Sequence, residues 1–530
     1  MVHDRQFLAM AGNAACLQIL PDRPESARAL VAKPFESTLA AQGPADLQGI
    51  GQTRQRGATM AGRSLEAPTY LARQKAKLEH LWAQFCGYPP LPGTGRVWPR
   101  PKGDAMNQLS IFDRVQFADT SETFIANIES FCEFGQKTVV DTQDGIPYFV
   151  NEFWTAGQRQ AHSIHEVSYR ACFKAQLPEF FISRLTRPGD VVFDPFMGRG
   201  TTPVQAALMQ RQSFGNDINP LSVLLSRPRL RPINLQSVMA ALQTVDWSKG
   251  EIEREDLLAF YHPATLKKLE ALRSWIADRA PLGADSVDPV ADWIRMVAIN
   301  RLSGHSPGFF SGRSMPPNQA VSVKAQLKIN EKLGISPPER DVAGVILKKT
   351  KTLLKDGCAP AQVRSSLHTG PAWDVPNIAD RSVDLVVTSP PFLDIVQYAG
   401  DNWLRCWFAG IEPESVAIDM HKTEESWTLM VNRVLKEQAR ILRPGGYVAF
   451  EVGEVRNGKV LLEKLVWRAA EGLPFERLGV VVNDQEFTKT ANCWGVSNNK
   501  GGTNSNRIVV LKRVESVSYT HLTLPTSDLV

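Results

Sequence analysis

The feature that most constrains the fold is the stretch at residues 190–220, which reads DVVFDPFMGRGTTPVQAALMQRQSFGNDINP. Its pattern predicts an apolar strand at 191–193, a glycine-containing loop at 194–200, a helix at 201–209 and a weaker strand that ends at Asp217. This order is typical of a βαβ nucleotide-binding half, in which the loop meets a ligand at the N-terminus of the helix. The stretch therefore predicts an α/β fold with a largely parallel sheet.

The loop also limits the kind of ligand. Gly198 and Gly200 allow close approach of the backbone, and Asp217 follows Gly200 by 17 residues, near the spacing at which an acidic residue reaches ribose hydroxyls. Position 203 is Pro, so the G-x-G-x-x-G pattern is incomplete, and no Gly-Lys-Ser/Thr follows as in a P-loop. A nucleoside with a short charged arm fits better than a pyrophosphate. The alternative is a structural turn without a ligand.

A second motif, TSPPF at residues 388–392, follows the apolar run at 383–387. The run predicts a buried strand, which the two prolines end abruptly. Ligands of open α/β sheets bind at the carboxyl ends of the strands. The motif is therefore a candidate for substrate binding, with a plain strand-ending turn as the alternative.

Taken together, DPFMGRGTT, NDINP and TSPPF resemble the S-adenosylmethionine-dependent amino-group DNA methyltransferases, over residues 165–513. The resemblance implies a Rossmann-like methyltransferase fold, with a mostly parallel seven-stranded sheet, helices on both faces and a mainly helical insertion. It also implies S-adenosyl-L-methionine as cofactor, double-stranded DNA as partner and no metal. A cognate restriction endonuclease is a further partner that this family allows.

The resemblance carries roles to individual residues. Ser389, Pro390, Pro391 and Phe392 become the catalytic candidates, with oxygens of the motif accepting hydrogen bonds from the target amine and Phe392 stacking on the base. The candidates for cofactor binding are Lys174, Pro178, Asp194, Pro195, Phe196, Gly198, Gly200, Thr201, Asp217 and Asn219. Members of the family often carry an acidic residue after the third strand, near the adenine. Here position 371 is Pro and Asp374 comes three residues later, so the adenine contact stays open.

The identity of the methylated base is a finer prediction. Ser-Pro-Pro is associated with N4-cytosine enzymes and Asp/Asn-Pro-Pro with N6-adenine enzymes, so we expect cytosine, with adenine as the alternative. No cysteine follows the prolines, which argues against carbon-5 cytosine methylation. RNA or protein-amide methyltransferases usually show Asn-Pro-Pro-Tyr, which is not found here. A non-catalytic DNA-binding protein on the same scaffold is the remaining alternative.

Composition changes along the chain indicate its organisation. Residues 1–105 predict a poorly structured extension or linker, which is either a genuine accessory region or an upstream extension before a natural start at Met106. Residues 106–164 form an N-terminal accessory segment. The catalytic domain is expected at 165–227 and 361–515, with an inserted helical, target-recognising region at 228–360. Residues 516–530 resemble a non-native tail.

Two polar segments are candidates for DNA contact. Residues 303–330 interleave Gly, Ser and Pro with aromatic and basic side chains, and His305, Phe309, Arg313 and Lys324 are the candidates there. A surface loop with buried phenylalanines is the alternative. The segment at 488–506 adds Lys489 and Trp494.

The overall composition excludes several other classes. The net charge of +5 is compatible with a nucleic-acid partner but too small to demonstrate one. The seven cysteines include no Cys-x-x-Cys pair, so a zinc site and a disulfide framework are both disfavoured and a reducing, cytoplasmic location is expected. No apolar run is long enough to span a membrane.

Overall fold

The computed structural model describes residues 120–155, 161–170, 172–284, 286–314, 320–393, 398–418, 420–455, 459–484 and 505–515. Within these residues no helix is long and apolar enough to cross a membrane. No group of His, Cys, Asp and Glu side chains in the same residues is arranged to hold a metal ion.

Eleven strands are found in the described part of the chain. They are β1 (Val139–Gln143), β2 (Ile146–Asn151), β3 (Val191–Asp194), β4 (Gln212–Asp217), β5 (Ser365–Thr369), β6 (Val383–Thr388), β7 (Leu442–Val452), β8 (Glu454–Val455), β9 (Val460–Leu461), β10 (Phe475–Asp484) and β11 (Ser505–Arg513).

The α-helices of the described residues number twelve. They are α1 (Ser121–Glu129), α2 (Gln176–Leu185), α3 (Thr201–Leu208), α4 (Pro220–Ser226), α5 (Leu235–Gln243), α6 (Pro263–Arg279), α7 (Pro289–Ile299), α8 (Val323–Leu333), α9 (Val342–Leu353), α10 (Tyr398–Ala409), α11 (Glu424–Ile441) and α12 (Leu462–Ala469).

A nine-stranded sheet organises these elements, in the order β1-β2-β10-β11-β7-β6-β3-β4-β5. The strands β7, β6, β3, β4 and β5 are mutually parallel, whereas β11 runs antiparallel to both β7 and β10. The seven strands from β10 to β5 confirm the predicted Rossmann-like fold, in which β10 and β11 form an antiparallel pair.

The predicted count of seven strands was too small for the whole sheet. The hairpin of β1 and β2 extends it, because β2 pairs in parallel with β10 over residues 148–151. The contact is supported by Phe149, which packs against Gly479 of β10 so closely that a side chain there would meet the Phe149 ring at 2.6 Å. The N-terminal accessory segment thus contributes directly to the sheet.

Strand order fixes where the site lies. The chain goes from β3 outward to β4 and β5 and then returns to the other side of β3 as β6, so the order reverses between β3 and β6. The carboxyl ends of these parallel strands share one edge, and a ligand crevice opens where the order reverses. The glycine loop after β3 and the TSPPF motif after β6 therefore meet at this edge.

The residues between β4 and β5 form the predicted helical insertion. Its helices α5 to α9 surround a hydrophobic core that includes the fully buried Trp293, Tyr261 and Phe260. Leu404 and Phe408 of α10 belong to the same core. Since α10 follows the TSPPF motif, the insertion packs beside the strand edge that carries that motif.

Candidate active site

Asp194 ends β3 and joins the glycine loop to the TSPPF motif. Its Oδ1 accepts hydrogen bonds from the Thr388 hydroxyl at 2.6 Å and from the Phe196 amide at 3.0 Å. Its Oδ2 is buried, without a hydrogen bond to any described residue. Burial raises the pKa of Asp194 to about 7, although the hydroxyls of Thr388 and Thr202 and the Phe196 amide oppose this rise. A buried acceptor without a donor is uncommon in folded proteins, which marks Asp194 as a candidate functional residue.

The glycines of the loop have the backbone conformation that glycine favours. Gly198 has φ +51° and Gly200 has φ +77°. A Cβ at Gly200 would lie 2.2 Å from Ser226 Oγ, so the loop packs directly on the end of α4. Gly200 is also the N-cap of α3, and the helix begins where the loop ends.

Asp217 at the end of β4 supports the same loop. Its carboxylate accepts from the Gly198 amide at 2.8 Å and from the Asn219 amide at 2.9 Å. Asn219 caps α4 by accepting from the Leu221 amide at 3.0 Å. Burial raises the pKa of Asp217, and the two amide bonds partly offset the effect. The loop, the acidic residue and the following helix are therefore one hydrogen-bonded unit.

The TSPPF motif is held from both sides. The Thr202 hydroxyl donates to the Val387 carbonyl at 3.0 Å, which ties α3 to β6. The Trp427 indole donates to the Pro391 carbonyl at 2.9 Å, which ties the turn to α11. These bonds set the position of Ser389 between the glycine loop and α11.

Glu451 is a site residue that the sequence reasoning missed. It lies near the end of β7, beside β6, and its buried carboxylate accepts hydrogen bonds from Ser389 and from Asn506 Nδ2, the latter at 3.0 Å. Burial raises the pKa of Glu451, while both bonds lower it. The signal was an acidic residue within the otherwise apolar strand YVAFEV.

A cleft of about 880 Å³, measured with its open mouth, brings most of these groups together. It is lined by Tyr169, Cys172, Phe173, Pro195, Phe196, Met197, Gly198, Thr201, Asp217, Ile218, Asn219, Pro371, Ala372, Trp373, Ser389, Pro391, Ala417, Ile418 and Met430. Eight of the predicted residues are in this lining, from both the cofactor set and the catalytic set. The cleft thus joins the glycine loop to the serine of TSPPF.

Six predicted residues lie outside this lining. They are Lys174, Pro178, Asp194, Gly200, Pro390 and Phe392. Asp194 and Gly200 lie beneath the lining residues. Asp194 accepts from the Phe196 amide, and Gly200 is the N-cap of α3. Pro178 is buried inside α2, and Phe392 packs against the core of the sheet. Lys174 is partly buried, and this burial lowers its pKa.

The candidates for DNA contact are divided by their exposure. His305, Arg313 and Lys324 are exposed. Phe309 is only 7% exposed and packs under Arg301, whose guanidinium lies 4.1 Å from the ring centroid. Its ring would have to move to reach a base. Lys489 and Trp494 lie outside the described residues.

Several lining residues had weak sequence signals. Tyr169, Cys172 and Phe173 come from a segment without regular secondary structure, and Arg199 of the glycine loop fixes it by donating to the carbonyls of Val167 at 2.9 Å and Phe173 at 3.2 Å. No local periodicity predicts a contact of this kind.

Residues 74–226 match a family model described as DNA methylase, N6_N4_Mtase. Type II methyltransferase M.MjaII of Methanocaldococcus jannaschii is 38% identical over 97 residues, which are 17% of this chain and 18% of the relative. Type II methyltransferase M.BsoBI of Geobacillus stearothermophilus is 23% identical over 314 residues, 52% of this chain and 58% of the relative. Orphan methyltransferase M.BamHII of Bacillus amyloliquefaciens is 35% identical over 74 residues, 14% of this chain and 28% of the relative. The chain thus spans less than two thirds of each of these relatives.

Two solved structures show weaker likeness. TrmN from Thermus thermophilus aligns with a TM-score of 0.27 and 14% identity, over 66% of this chain and 52% of that one. TTHA0409 of the same organism, complexed with S-adenosyl-L-methionine, aligns with a TM-score of 0.17 and 22% identity, over 26% of this chain and 50% of that one.

The strand order and the position of the cleft are those of the Rossmann-like methyltransferase fold. The matching family model and the type II relatives go further, because they show that parts of this chain are similar to amino-group DNA methyltransferases. S-adenosyl-L-methionine is the cofactor of this family.

Proposed function

We propose that this chain transfers a methyl group from S-adenosyl-L-methionine to the exocyclic N4 amine of a cytosine in double-stranded DNA. The observation that carries the proposal is a single cleft lined by Gly198, Asp217 and Ser389. Gly198 and Asp217 suit a nucleoside cofactor, and Ser389 suits binding of the amine that receives the methyl group. Methyl transfer requires both groups side by side, because positioning supplies much of the rate enhancement, on the order of 7–11 kcal/mol in favourable cases.

The residues at the glycine loop fit the cofactor. Asp194 is buried beneath the glycine loop with one oxygen that has no hydrogen bond among the described residues, and its negative charge would attract the ammonium group of the methionine arm. Asp217 has carboxylate lone pairs for the ribose hydroxyls beyond the two amide bonds that it already accepts. When bound, the cofactor supplies an activated methyl group on a sulfonium centre.

Ser389 and Glu451 would position the target amine. Glu451 accepts the hydrogen bond of the Ser389 hydroxyl, which orients that hydroxyl and leaves its oxygen lone pairs free to accept from the amine. The amine becomes more acidic once methylated, so its surplus proton can pass to Ser389 and on to Glu451. The target base must leave the duplex to reach the cleft, which costs a few kcal/mol.

The choice of cytosine rests on the serine of Ser-Pro-Pro, with N6-adenine as the second candidate. Both bases present an exocyclic amine, so the geometry around Ser389 serves either. Mass spectrometry of nucleosides from duplex DNA treated with the protein and cofactor tests the choice. We expect N4-methylcytosine, and N6-methyladenine without N4-methylcytosine would contradict it.

The DNA is proposed to contact a basic ridge on α8, formed by Lys324, Lys328 and Lys332. These three exposed side chains recur every four residues and so share one face of the helix. The opposite face is fixed by amides, because Gln326 Nε2 donates to the Arg313 carbonyl at 2.8 Å and Asn330 Nδ2 to the Ala259 carbonyl at 2.7 Å. A rigidly held row of ammonium groups suits the phosphate backbone.

The chain segment that leads into α8 is tied to α10. The Ala320 amide donates to the Asp401 carbonyl at 3.2 Å, and the Trp403 indole donates to the Val321 carbonyl at 3.2 Å. Because α10 follows TSPPF, this attachment holds α8 close to the motif. It therefore supports contact between the ridge and DNA near the target base. Exposed His305 and Arg313 remain candidates on the same insertion.

The non-catalytic alternative makes a different prediction. A non-catalytic protein with this fold would bind DNA without binding the cofactor. Calorimetry with S-adenosylhomocysteine separates the two, since we expect saturable binding by the intact cleft. A restriction endonuclease partner remains a prediction, since the named relatives include both type II and orphan methyltransferases.

A further inference from the structure

We infer that Asp401 is a positioning residue that couples the cofactor cleft to the basic ridge on α8. The inference goes beyond methyl transfer itself, but it rests on the proposed function, because it takes the cleft as the cofactor site and the ridge as the DNA contact. The observation that carries it is that the side chain and the backbone of Asp401 bind two different segments, one leading to each of these surfaces.

The side chain of Asp401 holds the cleft wall, which is formed by residues 167–170 and 172–173. Both of its carboxylate oxygens accept hydrogen bonds from Nη1 of Arg170, at 2.7 and 2.9 Å. The same wall supplies Tyr169, Cys172 and Phe173 to the lining of the cleft. Because Asp401 is only 4% exposed, water cannot readily replace Arg170 as its partner.

The backbone of Asp401 holds the approach to α8. Its carbonyl accepts from the Ala320 amide at 3.2 Å, and the nearby Trp403 indole donates to the Val321 carbonyl at 3.2 Å. Ser322, the N-cap of α8, follows directly in the chain. The start of the helix that carries the ridge is therefore attached to α10 at Asp401.

A second arginine ties α10 to the cleft wall. Arg405 lies one turn after Asp401, and its Nη2 donates to the Ser168 carbonyl at 3.1 Å. Its guanidinium also lies 5.6 Å from the centroid of the Tyr169 ring, within the range of a cation–π contact. The wall is thus attached to α10 at two points, Ser168 and Arg170, and its position depends on that helix.

The cleft wall is joined in turn to the glycine loop, since Arg199 donates to the carbonyls of Val167 and Phe173. A continuous set of contacts therefore runs from the glycine loop through the wall and α10 to α8. A ligand at either end restricts the motion of this shared unit, so the second ligand binds at a smaller entropic cost. Cofactor and DNA binding should consequently be positively coupled, by the same factor in either order.

The test measures the S-adenosylhomocysteine affinity of the full chain by calorimetry, with and without a short DNA duplex of mixed sequence. Mixed sequence suffices because phosphate contacts do not depend on the bases. The duplex should raise the wild-type affinity about tenfold, within the usual range of coupling between two sites. Asp401→Asn should reduce this factor to about twofold or less, whatever its effect on affinity without DNA.

Arg170→Gln tests the same ion pair from its more exposed side, since the Arg170 side chain is 36% exposed and the variant should fold. It should lose the coupling to the same extent as Asp401→Asn. The double variant should lose no more than either single variant, because both changes remove one interaction.

Arg227 offers a matched control. Its Nε and Nη2 donate to the buried Asp292 carboxylate at 2.7 and 2.8 Å, in the insertion. Neither residue lines the described part of the cleft. Arg227→Gln should lower the free energy of unfolding but keep the full effect of DNA on S-adenosylhomocysteine affinity.

A wild type that binds S-adenosylhomocysteine and duplex DNA independently would overturn the inference, as would full coupling in Asp401→Asn and Arg170→Gln. An equal loss of coupling in Arg227→Gln would also overturn it, because the effect would then follow from the loss of any buried ion pair. A wild type that binds no S-adenosylhomocysteine, or no duplex DNA, would instead contradict the proposed function itself.

Discussion

At the scale of single residues, the carboxylates in and beneath the cleft have distinct environments. Asp217 uses its oxygens to hold two backbone amides, and Glu451 holds Ser389 and Asn506. Asp194 differs because the neighbouring Thr202 hydroxyl donates to the Val387 carbonyl, which leaves Asp194 Oδ2 without a hydrogen bond among the described residues, and because burial raises the pKa of Asp194 to about 7. Asp194 is therefore the carboxylate with the most to gain from a cationic ligand.

Cofactor affinity should consequently depend on pH through Asp194. Below a pKa of about 7 the carboxyl group is mostly neutral and attracts an ammonium group less, so affinity should fall as the pH is lowered from about 8 to 6. We expect up to a tenfold loss of S-adenosylhomocysteine affinity by calorimetry, with proton release on binding at the lower pH. Asp194→Asn should bind more weakly at pH 8 and show a flat profile. An equally steep profile in that variant would assign the effect to another group.

At the scale of elements, the packing of the glycine loop on α4 explains the need for glycine at 200. Its φ of +77° is unfavourable for any other residue. A methyl group added there would also lie 2.2 Å from Ser226 Oγ. Gly189 has φ +94°, but a methyl group added at that position would have nothing within 4 Å. A comparison of the two positions therefore distinguishes the cost of backbone strain from the cost of a steric clash.

Gly200→Ala should therefore destabilise the protein more than Gly189→Ala. We expect a cost of about 2–4 kcal/mol at Gly200, from strain and overpacking together. The cost at Gly189 should be about 1–2 kcal/mol, from strain alone. Chemical denaturation measures both, and Ser226→Gly should partly restore the Gly200→Ala variant. Equal costs at the two glycines would contradict the close packing of loop and helix.

The ridge on α8 also belongs to this scale, because its three lysines act together. Replacing Lys324, Lys328 and Lys332 with Ala should lower the slope of log affinity against log salt by about 2–3 for duplex DNA, since each phosphate contact contributes about 0.9. S-adenosylhomocysteine binding should not change. The matched control replaces Lys348, Lys351 and Lys355, which are exposed on and just beyond α9. An equal fall of the slope in that control would show that the ridge contributes only net positive charge and makes no phosphate contacts of its own.

At the scale of the whole molecule, the sequence predicted those secondary-structure elements that depend on residues close together in the chain. The strand, loop and helix around the glycine motif were predicted, because apolar runs and turn residues lie close together there. The strand β4 was weak by propensity but forms between β3 and β5. Its Gly215 is required by tertiary packing, since a side chain would meet Met197 at 2.6 Å.

Long-range contacts could not be predicted in this way. The residues of β1 are all exposed, and nothing in their sequence indicates that the hairpin would join β10, more than 320 residues further along the chain. Glu451 contacts Ser389 and Trp373 lines the cleft through contacts between strands and loops that no local sequence pattern shows. The motifs therefore predicted the class of chemistry, and the sheet topology supplied the rest of the site.

Ser389 and the cofactor cleft are proposed to act together in methyl transfer to DNA. The most direct measurement is transfer of labelled methyl groups from S-adenosylmethionine to duplex DNA, with S-adenosylhomocysteine binding measured in parallel. The wild type should label DNA, whereas Ser389→Ala and Glu451→Gln should lose about 10²-fold or more in turnover while retaining cofactor affinity. Full activity in Ser389→Ala, or a wild type that binds the cofactor but never labels DNA, would contradict the account.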